Sequence, residues 1–84
     1  MNYFEKIPAK TQAVVLNGKD VKIDTEGMEA TVVSSVGTSY IKVSDSTDNA
    51  DGFVLEKGQS ITLNGKFYIG GDSAEVRILY CRII

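Results

Sequence analysis

Apolar and polar residues alternate with period two along most of this chain, and Gly or Asn cuts the pattern every few residues. Ala13-Val14-Val15-Leu16 runs into Asn17-Gly18, followed by Val21-Lys22-Ile23-Asp24 and a break at Thr25-Glu26-Gly27. Met28, Ala30, Val32, Ser34 and Val36 alternate with Glu29, Thr31, Val33 and Ser35 up to Gly37-Thr38. Tyr40 to Ser44 and Phe53-Val54-Leu55 are shorter runs either side of the polar stretch Asp45–Gly52. Ser60–Leu63, Asn64-Gly65 and Lys66–Ile69 follow, then Gly70-Gly71 and a last strand from Ala74 to about Ile83. Asn-Gly suits a type I′ turn, whose two central residues both take positive φ, so both Asn-Gly pairs predict hairpins. No window has helical periodicity. The pattern predicts an all-β chain, a compact antiparallel β-sandwich or small barrel of about eight short strands.

The last strand breaks the alternation. Ala74, Val76, Ile78 and Tyr80 form one face, and Leu79, Cys81 and Ile83 make the opposite face apolar as well. A strand apolar on both sides is covered on both sides. A second copy of the chain is one cover, which makes Leu79, Cys81 and Ile83 the expected oligomer interface of a dimer or trimer. The other is the N-terminal segment, with Tyr3, Phe4 and Ile7 as a lid. With 84 residues there is room for one domain, read as an extension over 1–11 and a sandwich over 12–84.

Composition narrows the chemistry. There is no His and one Cys, so a His-ligated metal site, a Ser-His-Asp triad and an internal disulfide are all unavailable to a single chain. The net charge of −2 argues against nucleic acid, whose binders carry a basic stripe. No stretch reaches a membrane span, and Met1 to Pro8 lacks the apolar core of a signal peptide, so the chain is expected to be made in a cytosol and to stay there unless it leaves as part of a larger particle. The glycines match neither a phosphate loop nor a dinucleotide fingerprint. Cys81 has no base to activate it and reads as a small hydrophobe. No pair of carboxylates is placed in a cleft. The chain is expected not to be an enzyme and to need no cofactor.

Two clusters offer binding chemistry. Asp45, Asp48 and Asp51 in the polar loop are the candidate cation ligands, partly echoing a calcium loop. The position that needs Gly in such a loop is Ala50, and the flanks are strands; the competing reading is a solvated connection whose Asp and Asn side chains cap turns. Tyr40, Phe53, Phe67, Tyr68 and Tyr80 could include a stacking surface for carbohydrate, although aromatics at alternating strand positions are usually core.

Tyr40-Ile41-Lys42-Val43-Ser44, the polar loop, Gly52-Phe53-Val54-Leu55 and Glu56-Lys57-Gly58-Gln59-Ser60-Ile61-Thr62-Leu63 together resemble a pattern in small β-sandwich accessory proteins of tailed-phage virions, of the head-decoration or fibre-base type. In those, a "Y-x-K/R-x-S" strand precedes a "G-x-x-L-x-x-G-x-S-I-x-L" hairpin, and Gly52, Leu55, Gly58, Ser60, Ile61 and Leu63 match here. The resemblance covers about half the chain and implies a symmetric oligomer bound to a capsid or tail protein, without catalysis. The long arm or second domain by which such proteins often anchor is missing from this sequence. Alongside that reading stands a small carbohydrate-binding module using exposed tyrosines.

Overall fold

The computed structural model describes residues 5–45 and 47–83. Eight strands are present among them: β1 (Lys6–Asn17), β2 (Val21–Asp24), β3 (Glu29–Val36), β4 (Ser39–Lys42), β5 (Phe53–Leu55), β6 (Ser60–Leu63), β7 (Lys66–Gly70) and β8 (Asp72–Ile83). They form two antiparallel four-stranded sheets, one ordered β1-β8-β3-β6 and the other β2-β7-β4-β5. The pairings β1–β8, β2–β7, β3–β6 and β4–β5 are those of one long hairpin rolled up into two layers. That is the strand order of a jelly roll, a sandwich rather than a closed barrel.

Alternation then does its ordinary work. Val14 and Leu16, Ala30 and Val32, and Val76, Ile78 and Tyr80 face inward from the first sheet. Ile23, Ile41, Leu55, Phe67 and Ile69 meet them from the second. Val21, Met28, Ile61 and Leu63 close the margins of this core half-buried.

The two expected Asn-Gly hairpins are not hairpins. β1 and β2 lie in different sheets, and so do β6 and β7. Only the glycine of each pair has positive φ, Gly18 at 96° and Gly65 at 98°, whereas a type I′ turn needs both residues there. Consecutive positive φ occurs instead at Glu26 and Gly27, in a turn closed by Met28 N–H on the Thr25 carbonyl at 2.9 Å. Asp24 stabilises it by accepting from Glu26 N–H at 2.9 Å.

These breaks are corners at which the ribbon passes from one sheet to the other, and the two chains of the ribbon stay bonded as they turn. Gly18 N–H donates to the Gly71 carbonyl at 2.8 Å. Thr25 N–H donates to the Gly65 carbonyl at 3.0 Å, and Gly65 N–H returns a bond to Thr25 Oγ1 at 2.8 Å. Gly58 N–H donates to the Ser34 carbonyl at 2.8 Å, and Ser34 N–H to the Gln59 carbonyl at 3.1 Å. Buried Thr25, Ser34 and Ser39 are polar because they sit at these corners; Ser34 and Ser39 hydroxyls bond each other at 3.0 Å. The one same-sheet connection between consecutive strands is β4 to β5.

A Cβ built on Gly65 meets nothing within 4 Å, so a side chain there costs only backbone strain. Gly65→Val should therefore lower stability by about 1–2 kcal/mol, and Gly65→Asn by less, in urea unfolding followed by circular dichroism. Equal stability of the valine variant and the parent would mean that this corner does not hold its positive φ.

β8 is interior to its sheet, between β1 and β3. β1 runs unbroken from Lys6, so the boundary between an extension ending at 11 and a sandwich starting at 12 falls inside a strand. Ile7 is therefore not part of a lid: it stands opposite Arg82, beside β8 in the plane of the sheet. Tyr3 and Phe4 lie outside the described residues.

Candidate functional site

The outer face of the β1-β8-β3-β6 sheet is where the second apolar side of β8 emerges. Leu79 stands between Thr11 of β1 and Thr31 of β3, and Thr31 opposes Thr62 of β6, so one row reads Thr, Leu, Thr, Thr. The hydroxyls of Thr31 and Thr62 bond each other at 3.1 Å. The next row is Ala13, Arg77, Val33 and Ser60. A shallow depression of about 330 Å³ lies over these two rows.

Of the three expected interface residues, Leu79 (38% exposed) and Ile83 (47%) are at this surface, and Cys81 (7%) is not. Cys81 sits between Pro8 and Glu29 of the flanking strands. Lys6 Nζ reaches Glu29 Oε1 at 2.7 Å, an ion pair that crosses over β8 at the level of Cys81. The same carboxylate, by hydrogen bond and charge, holds the Lys6 ammonium above its ordinary pKa. The thiol is thus covered within its own chain.

The second sheet carries the loop between β4 and β5 on its outer face. By alternation Lys42 points outward from β4, yet its side chain is only 4% exposed. Its ammonium donates to Asp20 Oδ1 at 2.7 Å, Asn49 Oδ1 at 3.0 Å and the Thr47 carbonyl at 3.1 Å. All three N–H donors of the ammonium can therefore be used. A 3₁₀ turn (Asn49–Asp51) capped by Asp48, whose Oδ1 accepts from Ala50 N–H at 3.2 Å, brings Asn49 into place. Gly70 leaves the space: a Cβ there would come within 2.5 Å of Asn49 Oδ1 and 2.9 Å of Asp20 Oδ1.

The loop is therefore tied down on the sheet, and the cation its oxygens surround is a lysine of the same chain. Asp45, Asp48 and Asp51 are all exposed. Among the described residues no group of three His, Cys, Asp or Glu side chains could hold a metal ion. Sequence reading gave Lys42 only the polar side of a short strand. Its burial follows from Asp20 and Gly70, which are remote in sequence and become neighbours through the β2–β7–β4 pairing.

The aromatic residues divide. Phe67 and Tyr80 are core. The Tyr80 hydroxyl donates to Gln12 Oε1 at 2.7 Å, the Lys10 ammonium lies 4.8 Å from the ring centre, and burial raises the phenol pKa. Tyr40 and Tyr68 are half-buried on the outer face of the second sheet, Tyr68 flanked by Lys22 and Lys42. Phe53 is exposed at the open seam between β5 and β6. There, with Val43, Ile41, Ile61, Leu63 and Phe67, it lines an apolar groove of about 320 Å³.

These surfaces offer flat apolar contact, one seam groove and fixed surface charges. Every buried side-chain nitrogen and oxygen among the described residues has a hydrogen-bond partner. No helix among those residues is long and apolar enough to cross a membrane. No protein-family model matches the sequence, and searches of curated proteins and of solved structures return no match.

Proposed function

We propose that this chain is a non-catalytic structural and interaction module, a phage or prophage virion accessory protein made in the bacterial cytoplasm and carried on the particle. Its contact with a larger capsid or tail protein uses the outer face of the β1-β8-β3-β6 sheet. The observation carrying this reading is the exposure of Leu79 and Ile83 on the interior strand of a sheet whose other side is a packed core. Aliphatic side chains set among threonine hydroxyls and an ion pair on a flat sheet face suit contact with another protein surface better than capture of a small molecule. The pattern from Tyr40 to Leu63 supplies the virion assignment, and a repeating lattice would let many weak contacts add up.

The carbohydrate reading rests on Tyr40 and Tyr68, which share the outer face of the other sheet with Lys22. Both rings are half-buried, which leaves less face for a sugar to stack on.

Density-gradient purification of particles from an induced source strain, followed by mass spectrometry, tests the proposal. The 9.1 kDa chain should appear in near-stoichiometric ratio to a capsid or tail protein. Absence from particles while the chain stays in the lysate would reject it. Binding in a glycan screen, lost in Tyr68→Ala, would then favour the carbohydrate module.

A further inference from the structure

Every sandwich has four edges, and those of this one differ in length and protection. β2, β5 and β6 present edges of four, three and four residues. β1 is twelve residues long and, among the described residues, is paired on one side only, with β8. Its free side therefore offers a row of unpaired backbone N–H and C=O groups, and such rows accept another strand unless something prevents it.

The first half of β1 carries the usual safeguards. Pro8 lacks an N–H, the register shifts between Pro8 and Lys10, and Lys6 and Lys10 bring charge. From Thr11 to Leu16 there are none: Thr-Gln-Ala-Val-Val-Leu has no charge, no proline and no register shift until Asn17. Val15, which points to the outer face here, is 71% exposed.

We propose that this unguarded half-edge, Thr11 to Asn17, pairs antiparallel with the same segment of a second copy. A two-fold axis near Val14 places Ala13 of one copy beside Val15 of the other, and Thr11 beside Asn17. The segment suits itself as partner because it is neutral along its whole length, so no like charges meet across the axis and Lys10 falls outside the pairing. Val15, the most exposed large apolar side chain of the strand, gains an aliphatic neighbour. The product is one continuous eight-stranded sheet, β6-β3-β8-β1 followed by its symmetry mate. The edge argument stands without the virion reading; combined with it, the dimer presents two Leu79–Ile83 faces in one plane and so binds a lattice through two sites.

Sedimentation velocity on the full chain from low to high micromolar concentration tests the pairing. The parent should be a dimer, and Val15→Lys should weaken it roughly tenfold or more by placing two like charges near the axis. Its circular dichroism should be unchanged, since residue 15 is solvated in the single chain. Leu79→Lys should leave the dimer intact. Hydrogen exchange gives a readout without substitution: the alternate amides of residues 11–17 that point away from β8 should lose protection on dilution, while those bonded to β8 and those of β3 keep theirs. A monomeric parent, a Val15→Lys dimer as tight as the parent's, or exchange of the outward-pointing amides of 11–17 that ignores dilution would each overturn the edge pairing. Dissociation by Leu79→Lys alone would overturn it in favour of face-to-face contact, whereas particle association is scored separately by mass spectrometry.

Discussion

Lys42→Met is expected to lower stability by about 2–4 kcal/mol in urea unfolding, more than a surface lysine could account for. The methionine keeps the aliphatic stem but removes the donor shared by Asp20, Asn49 and the Thr47 carbonyl. Asp20 is then a largely shielded carboxylate without its counter-charge, and two neutral acceptors lose their partner as well. Adding Asp20→Asn should restore part of the loss, so the double variant should be more stable than the two single effects predict. Salt separates this pair from the exposed Arg77–Glu75 pair at 3.0 Å, because screening acts weakly on groups out of water. A loss below about 0.5 kcal/mol would show that the ammonium is solvated and the loop free of the sheet.

Ile69→Ala is expected to cost about 3–4 kcal/mol, out of a total of about 4–12 for a chain of this size. Ile69 is fully buried on β7, between Val21 of β2 and Ile41 of β4, in the middle of its sheet's core face. Neighbours held in a ladder on both sides cannot collapse far into the space, so the cavity term adds to the transfer term. Val15→Ala, on the exposed side of β1, should change monomer stability by less than about 0.5 kcal/mol. Thermal or urea unfolding of the two variants side by side measures the contrast. Equal effects would place Ile69 outside the core.

Strand positions and inward faces were legible in the chain because period two is a direct imprint of one buried side. Most strands carry that alternation, but the first half of β1 does not: Lys6 to Ala13 is exposed throughout, and its residues up to 11 therefore read as an extension outside the sandwich. Partner choice was not legible, for a physical reason. Asn64-Gly65 is compatible with a type I′ hairpin and equally with a corner in which the glycine alone takes positive φ. What decides is Thr25, which bonds Gly65 through both its amide and its hydroxyl from a distant point in the chain. Asn17-Gly18 is resolved in the same way by Gly71.

The surfaces were legible in part. The unusual second face of β8 was visible in Leu79, Cys81 and Ile83, because three apolar residues on the wrong parity need no partner to be noticed. That Cys81 lies beneath the Lys6–Glu29 pair was not, since it requires the strands on both sides of β8. The polar loop was read as a solvated connection or a cation site. The structure ties it to the sheet through a lysine that the strand pattern assigned to solvent.

The rolled ribbon also orders events in time. Ser39 and Leu55, near its closed end, are neighbours in sequence compared with Lys6 and Ile83 at its open end. Closing the β4–β5 loop costs the least chain entropy, and each later pairing adds to a ribbon already formed. Assembly should therefore proceed outward from residues 39–55, with β1 the last strand to find a partner and β8 required before it can. Such non-local pairing belongs to the slow end of small-domain folding, roughly milliseconds to seconds. On the ribosome, β1 is made long before β8 and must wait, unpaired and adhesive, until Asp72–Ile83 has emerged.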